Sequence, residues 1–261
     1  MSRSWNSSEM EETRWKVAVA NRILAEIGLG AGVRASLGHA SLRLPSDPTK
    51  FVVKGRGYYI DVMSRMRPED MVVCNSEGEW VDGPPESMQP GEVKMHSCIY
   101  NARPDVMSVV HVHPKYTVIM SSLKQTLVPM VQEGAALVLN PLPVYPKAKV
   151  VTTEEEGVEV ARLLGQHKLI ILQGHGAATT GVDLQDSCMA MIQLEHQAEM
   201  NYYGYLAEGV QHSRIPAENV EAMMRHQSFT QPHFKARTDM TGMPKATGIW
   251  GYYTQLVSEG M

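Results

Sequence analysis

Short strand-like segments that occur in pairs separated by turns constrain the fold of this chain more than any other feature. His39-Ala-Ser-Leu-Arg-Leu44 alternates polar and apolar residues, and Phe51-Val-Val53 follows it after two prolines. Met71-Val-Val-Cys74 and Trp80-Val81 lie on either side of the turn sequence Asn75-Ser-Glu-Gly78. Segments of this length and pattern, joined by turn residues, indicate β-hairpins. The sequence therefore predicts two hairpins in its first third.

Helical segments and isolated strands follow these hairpins. Residues 106–112 and 169–172 are apolar and rich in β-branched side chains, which predicts buried strands. Hairpins mixed with flanking helices favour an α/β sandwich with a mixed, largely antiparallel central sheet over a doubly wound parallel sheet. Helices are predicted over four segments, from residue 7 or 8 to 28, 92–102, 116–123 and 183–207.

The chain length predicts a single domain over residues 1–261, because 261 residues lie at the upper end of what one hydrophobic core serves. Residues from about 215 to 261 are predicted to form a C-terminal helix followed by an extended arm. No shift in composition indicates a boundary between domains.

Charge and hydrophobicity narrow the class of partner. The formal net charge is -4 and no run of lysine or arginine occurs, which argues against nucleic acid and favours a small-molecule substrate. No apolar run approaches the roughly 20 residues that span a bilayer, and the N-terminus has no apolar signal core. We therefore expect a cytoplasmic protein without a membrane partner.

Three histidines stand at the ends of predicted strands. His111 and His113 are two positions apart, so their side chains project from the same face of a strand. His175 follows the second apolar strand between two glycines, which allow the backbone to approach closely. Three imidazoles can hold a divalent metal and leave coordination positions for a substrate. We predict a catalytic metal site on these histidines; backbone-bonded or solvated histidines are the alternative.

Glu92 is the candidate for proton transfer beside such a metal. It stands at the predicted start of the helix over residues 92–102. A carboxylate at a helix start also stabilises the helix dipole, so the residues alone leave both roles open.

Several motifs in one order give the chain a resemblance to a known family. Over residues 15–206 the sequence resembles the class II aldolase/adducin family. The segments that carry the resemblance are Gly38-His-Ala-Ser-Leu-Arg43, Glu92-Val-Lys-Met-His96, Arg103-Pro-Asp-Val106, Val109-Val-His-Val-His-Pro114 and Gln173-Gly-His-Gly176.

This resemblance implies a three-layer α/β/α fold and a cyclic homotetramer with sites near the subunit interfaces. It also implies one divalent metal ion on His111, His113 and His175, with Glu92 as the catalytic acid/base. Zinc, manganese, iron and cobalt all suit three imidazoles, so the metal itself is left open.

Departures from the family's aldolases indicate the substrate. Those aldolases hold a phosphate with a Gly-Asn loop, a Thr-Gly loop and a pair of serines before the glutamate. Here His39 stands at the asparagine position, Arg56-Gly57 replaces Thr-Gly, and Pro90-Gly91 replaces the serines. The resulting Gly-His-x-Ser loop resembles the family's decarboxylase branch, and added cations suit a carboxylate. The predicted substrate-binding residues are His39, Ser41, Lys54, Arg56, Gly57 and Gly91.

The resulting hypothesis is a metal-dependent lyase that decarboxylates a hydroxylated aromatic, catechol-type carboxylate such as dihydroxyphthalate, as in the degradation of aromatic compounds. The main alternative is a class II aldolase that cleaves a hydroxy-ketone or a sugar phosphate. Further alternatives are a non-haem iron oxygenase and a non-catalytic module like adducin.

Overall fold

Seven α-helices, four short 3-10 helices and one eight-stranded sheet occur in the part of the chain that the computed structural model describes, residues 7–30, 37–225, 247–259 and 261. The helices are α1 (Ser7–Glu26), α2 (Val93–Ala102), α3 (Lys115–Ser122), α4 (Glu154–Leu164), α5 (Leu184–Glu208), α6 (Ala217–Arg225) and α7 (Thr247–Ser258). The strands are β1 (His39–Arg43), β2 (Lys50–Lys54), β3 (Met71–Asn75), β4 (Trp80–Asp82), β5 (Ser108–Val112), β6 (Val144–Tyr145), β7 (Leu169–Leu172) and β8 (Gly176–Gly181). None of the helices in these ranges is long and apolar enough to cross a membrane.

The sheet runs through the centre of the molecule in the order β4-β3-β2-β1-β5-β8-β7-β6. β6 and β7 pair in parallel, whereas the other neighbouring strands pair antiparallel. One apolar cluster lies between the sheet and helices α1 and α5, and a second lies between the sheet and helices α2 and α4. The α/β/α sandwich with a mixed, largely antiparallel sheet is therefore confirmed.

Strand β5 lies in the middle of the sheet and decides which face carries the first histidine. Val110 and Val112 belong to the cluster under α1 and α5, whereas Val109 belongs to the cluster under α2 and α4. Successive side chains of a strand point to opposite faces, so His111 shares the face of Val109. That face is covered by α2, the helix that Glu92 precedes.

Sequence patterns missed the central strand β8, Gly176-Ala-Ala-Thr-Thr-Gly181. Glycine and alanine have low intrinsic strand propensity, so the segment lacks the β-branched run that identified β5 and β7. All six of its residues are buried, and it pairs with β5 on one edge and β7 on the other. Pairing on both edges therefore places a segment of small residues in the sheet against its local preference.

Helix α4 was also missed, although a sequence signal for it was present. The side chain of Thr153 accepts a hydrogen bond from the backbone N–H of Glu156, and the Glu156 side chain bonds back to the cap. This capping box is readable as Thr-x-x-Glu, so the helix could have been found from the sequence.

The predicted C-terminal helix and arm need a correction at their far end. Residues 217–225 are helical as predicted, and residues 226–246 lie outside the described part of the chain. Residues 247–258 form α7 instead of continuing as an extended arm. Trp250, Tyr253 and Val257 recur at helical spacing and pack against Val19 and Ile23 of α1. Burial of this apolar stripe favours the helix despite its two glycines.

Candidate metal centre

The start of α2 and the end of β5 bring Glu92 and His111 together. Glu92 directly precedes α2, but its side chain makes no cap hydrogen bond to the helix. Its Oε2 lies 3.2 Å from Nε2 of His111, and its Oε1 accepts a hydrogen bond from the backbone N–H of Val151 at 3.0 Å. The carboxylate therefore faces the histidines rather than the helix terminus.

His113 and His175 come from adjacent strand ends. His113 directly follows β5, and its Nε2 lies 3.2 Å from Nε2 of His111. His175 occupies the turn between β7 and β8, and its Nε2 lies 3.5 Å from Oε2 of Glu92. Because β8 pairs with β5, the turn that carries His175 lies beside the end of β5 that carries His113.

Two glycines make this close approach possible. Gly174 adopts a φ of 65°, in the left-handed region that favours glycine. At Gly176 a Cβ atom would overlap the carbonyl oxygen of Val112 and would lie 3.0 Å from Cδ2 of His113. A side chain at that position would therefore push the turn away from the end of β5.

The four side chains together fit a divalent cation. One donor atom from each of Glu92, His111, His113 and His175 lies within 4.8 Å of every other. Nδ1 of His111 lies 3.0 Å from the carbonyl oxygen of Ala177, which can only accept, so the neutral ring has its lone pair on Nε2. A cation at about 2.0–2.1 Å from two imidazole nitrogens separates them by about 3.4 Å at the tetrahedral angle. The 3.2 Å between the two Nε2 atoms of the His-x-His pair agrees with that separation.

The charges of the cluster are set by burial and by the mutual approach of its members. Burial raises the pKa of Glu92, but the neighbouring imidazoles of His111 and His175 outweigh burial and lower it. Burial and the neighbouring imidazoles lower the pKa of His113 to about 3. Glu92 is thus anionic and His113 neutral near pH 7, the protonation states that metal ligation or proton acceptance requires.

The first loop places His39 beside the cluster and Ser41 behind it. His39 of β1 stands opposite His111 of β5 in the sheet, and their ring centroids are 5.3 Å apart. Nδ1 of His39 lies 2.7 Å from Nε2 of His96. Ser41 is fully buried, and its hydroxyl contacts His96 and Tyr100. Of these two predicted substrate-binding residues, His39 therefore adjoins the cluster of Glu92 and the three histidines, whereas Ser41 contacts His96 deeper in the core.

The predicted cations of the second loop share one carboxylate. The buried ammonium of Lys54 forms an ion pair with the partly exposed carboxylate of Asp61, and Nε of Arg56 lies 3.5 Å from the same carboxylate. The side chain of Arg56 remains 41% exposed. Lys54 contributes to lowering the pKa of His39, after burial and the nearby imidazoles, so its charge lies near the site.

The two predicted glycines have different surroundings. Gly57 has a φ of 98°, and a Cβ there would lie 3.0 Å from the carbonyl oxygen of Glu86. Gly91 is exposed, and nothing lies within 4 Å of the position that its Cβ would occupy. The backbone before Glu92 is therefore open to solvent.

Sequence reasoning missed the partners that fix the site. Val151 and Ala177 contribute only backbone groups, and no sequence pattern identifies such groups. Asp61 lies in an irregular segment without periodicity. His96 is not among the missed partners, because it belongs to the Glu92-Val-Lys-Met-His96 motif and its position four residues after Glu92 places it one helical turn further along the same face.

The fold and this cluster define a class of α/β/α proteins with a histidine-rich cluster that could hold a metal ion, and comparison with known proteins gives the family. The sequence profile described as Class II Aldolase and Adducin N-terminal domain matches residues 16–202. The chain therefore belongs to the class II aldolase/adducin family, as its motifs predicted.

Among similar proteins, the 3,4-dihydroxyphthalate decarboxylase of Terrabacter sp. (strain DBF63) is 28% identical over 218 residues, which cover 80% of this chain and 88% of that protein. An aldolase II superfamily protein from Pseudomonas syringae shares the fold with a TM-score of 0.78 and 20% identity, over 97% of this chain and 94% of that one. L-fuculose-1-phosphate aldolase from Thermus thermophilus has a TM-score of 0.61 and 27% identity, over 77% and 98% of the two chains.

Proposed function

We propose that this protein is a metal-dependent carbon–carbon lyase that decarboxylates a hydroxylated aromatic carboxylate, with a dihydroxyphthalate as the first substrate to test. The observation that carries the proposal is the convergence of Glu92, His111, His113 and His175 on one point, within 4.8 Å of one another. The three imidazoles would hold a zinc, manganese, iron or cobalt ion and leave positions for substrate oxygens.

Two observations favour decarboxylation over cleavage of a sugar phosphate. The similarity to a 3,4-dihydroxyphthalate decarboxylase extends over 80% of this chain. The ion pairs of Lys54 and Arg56 with Asp61 leave these three groups with a single net positive charge. One net positive charge complements a single carboxylate group of the substrate, whereas a phosphate places two negative charges on one group and calls for more cationic charge or more hydrogen-bond donors there.

Glu92 is the residue that moves the proton in this proposal. Its Oε1 is occupied by the backbone N–H of Val151, so Oε2, which faces the histidines, is the oxygen available for proton transfer. Anionic Glu92 accepts a proton from a substrate hydroxyl as the substrate binds. A divalent cation bound at the three imidazoles would supply Lewis-acid stabilisation of the negative charge on the substrate.

The bond to the carboxylate then breaks, and CO2 leaves while the electron pair stays on the ring carbon. Oε2 of Glu92 returns its proton to that carbon, and the product hydroxyl regains a proton from solvent. The cycle therefore consumes one solvent proton for each CO2 that is released.

A substrate assay tests the proposal. The protein is loaded separately with Zn²⁺, Mn²⁺, Fe²⁺ or Co²⁺, and CO2 release is measured with 3,4-dihydroxyphthalate and related hydroxyaromatic acids. We expect release with at least one metal and none from a His113→Ala control, which lacks one imidazole of the cluster. Cleavage of L-fuculose 1-phosphate without CO2 release from any aromatic acid would refute the proposal.

The second candidate is an aldolase, favoured by the 27% identity to L-fuculose-1-phosphate aldolase from Thermus thermophilus. The same assay separates the two reactions, because aldol cleavage releases an aldehyde and no CO2.

Two further alternatives have their own tests. Oxygen uptake with ferrous iron tests whether the protein is an oxygenase. A sample that is prepared without chelator and carries no transition metal would favour a non-catalytic module.

A further inference from the structure

Four buried polar side chains form a continuous hydrogen-bonded chain that leads from the metal centre into the core, which we name the relay: His39, His96, Ser41 and Tyr100. Nδ1 of His39 lies 2.7 Å from Nε2 of His96, and Nδ1 of His96 lies 2.6 Å from the hydroxyl of Ser41. That hydroxyl lies 2.7 Å from the hydroxyl of Tyr100. None of the four residues is more than 6% exposed. Each buried polar group therefore depends on its neighbours in the relay for a partner.

Aromatic packing fixes the orientation of the inner rings. The ring of Phe51 is stacked on His96 at a centroid distance of 6.4 Å and lies 5.2 Å from the ring of Tyr100. The guanidinium of Arg43 lies 4.6 Å from the centroid of the Tyr100 ring and donates to the backbone carbonyl oxygen of Tyr100. The relay thus runs between side chains that hold its members in one geometry.

The distances decide the direction in which the protons point. The Tyr100 hydroxyl has two acceptors within reach, the Ser41 hydroxyl at 2.7 Å and the carbonyl oxygen of Met107 at 3.4 Å. Because O–H···O hydrogen bonds fall at about 2.5–3.0 Å, only the contact with Ser41 satisfies the buried phenol as a donor. The alternative acceptor of the serine hydroxyl, the carbonyl oxygen of Val109, also lies at 3.4 Å.

If Tyr100 donates to Ser41, the donor and the acceptor of each following hydrogen bond in the relay are fixed as well. Ser41 then donates to Nδ1 of His96, and Nε2 of His96 donates to Nδ1 of His39. The proton of the neutral His39 ring is thereby placed on Nε2, the nitrogen that makes no hydrogen bond to the described residues. Aligned hydrogen bonds polarise one another, so the relay makes the Nε2–H group of His39 a stronger donor.

We propose that His96, supported by Ser41 and Tyr100, is a positioning residue that holds His39 as a neutral hydrogen-bond donor to the carboxylate of the substrate. This inference rests on the proposed function, because it takes the substrate to be an aromatic carboxylate. Because Nδ1 of His39 accepts the hydrogen bond from His96, the His39 ring carries a single proton and is neutral. A neutral donor beside a divalent cation avoids the repulsion that an imidazolium would meet.

A pair of ligands tests the relay through binding rather than turnover. Calorimetry on the metal-loaded protein compares 2,3-dihydroxybenzoate with catechol, which lacks the carboxylate. In Tyr100→Phe, we expect the dissociation constant of 2,3-dihydroxybenzoate to rise about 3- to 10-fold, the loss of one buried hydrogen bond, while that of catechol stays the same. Tyr100→Phe removes one oxygen and keeps the ring contacts with Phe51 and Arg43.

Two replacements of His96 act as a matched pair. Glutamine places an amide nitrogen near the position of Nε2, so His96→Gln should restore most of the affinity for the carboxylate. Asparagine reaches only the position of Nδ1, so His96→Asn should weaken binding of 2,3-dihydroxybenzoate about 10-fold or more. His212→Asn serves as the control, because His212 is another buried histidine, bonded to Asn201 away from the relay.

A double mutant separates the relay from a purely structural role. In a His39→Ala background, Tyr100→Phe should cause no further loss of carboxylate affinity, because the relay then has no donor to direct. Equal weakening of both ligands, or additive losses in the double mutant, would overturn the proposal.

Neutron diffraction from the deuterated protein tests the proton positions in the relay independently of the proposed decarboxylase function. We expect deuterium on Nε2 of His39 and on Nε2 of His96. If neither ligand binds, the proposed function fails, while the deuterium positions still decide the relay. Deuterium on Nδ1 of His39 would overturn the relay whatever the substrate is.

Discussion

Replacement of Glu92 by glutamine separates proton transfer from metal binding. Glutamine has nearly the same shape, so its amide oxygen can still accept the hydrogen bond from Val151, which glutamate accepts at 3.0 Å. The amide nitrogen then replaces Oε2, which lies 3.2 Å from Nε2 of His111 and 3.5 Å from Nε2 of His175. The variant therefore loses a proton-accepting oxygen and one negative charge without a change in volume.

The expected magnitude follows from the role of that oxygen. Because Oε2 both accepts and returns the proton in the proposed cycle, Glu92→Gln should lower kcat by about 10²- to 10⁴-fold, the usual range for general acid–base catalysis. Such a loss corresponds to an increase of about 3–5 kcal/mol in the activation barrier. The three imidazoles remain, so the metal content should stay close to that of the unchanged protein.

The assay measures CO2 release under saturating substrate together with metal content by mass spectrometry. Glu92→Asp is the matched control: it keeps the charge, but its shorter side chain cannot reach both Val151 and the histidines, so an intermediate rate is expected. Unimpaired turnover in Glu92→Gln would remove Glu92 from the mechanism. Loss of metal in parallel with loss of turnover would identify the carboxylate as a ligand instead.

Three further predictions concern the fold and the metal. Gly176→Ala should lower the free energy of unfolding by about 1–3 kcal/mol, because a Cβ there overlaps the Val112 carbonyl oxygen, whereas Gly251→Ala, with open space at that position, should be tolerated in urea unfolding. Metal at 100 times its dissociation constant should stabilise the protein by about 2.7 kcal/mol over the chelator-treated form in calorimetry, and His113→Ala should not show this difference. Burial lowers the pKa of His96 from 6.5 to about 3, so between these values the unfolded chain binds a proton that the folded chain does not. The free energy of unfolding of the metal-free protein should therefore fall with decreasing pH, by about 1.4 kcal/mol per pH unit for this residue, and His96→Gln should remove that part of the slope.

The elements with strong periodicity were predictable from sequence, and those defined by pairing were not. Strand β5 and helix α5 carry their own apolar pattern, whereas β8 is a run of small residues that becomes a strand between two neighbours. Local sequence contains no information on such neighbours.

The same distinction holds at the site. The three histidines and Glu92 were identified from motifs, and the structure brings them together. The carboxylate of Asp61 beside Lys54 and Arg56 was not foreseen, because an ion pair across a loop follows no spacing rule. Lys54 and Arg56, which appear in the sequence as two separate charges, thus share the carboxylate of Asp61 in the folded chain.

The turn that carries His175 is the part of the sheet whose local stability would change most on loss of a metal ion. Three backbone N–H groups hold the turn: Gln173 donates to the carbonyl oxygen of Tyr145, Gly174 to the hydroxyl of Ser121 and His175 to the carbonyl oxygen of Leu172. A bound cation would add an attachment to the end of β5. Release of the ion would loosen this short hairpin end while the strands on either side stay paired. Amide hydrogen exchange confined to the hairpin tip would then serve as an internal gauge of metal occupancy, readable without any substrate.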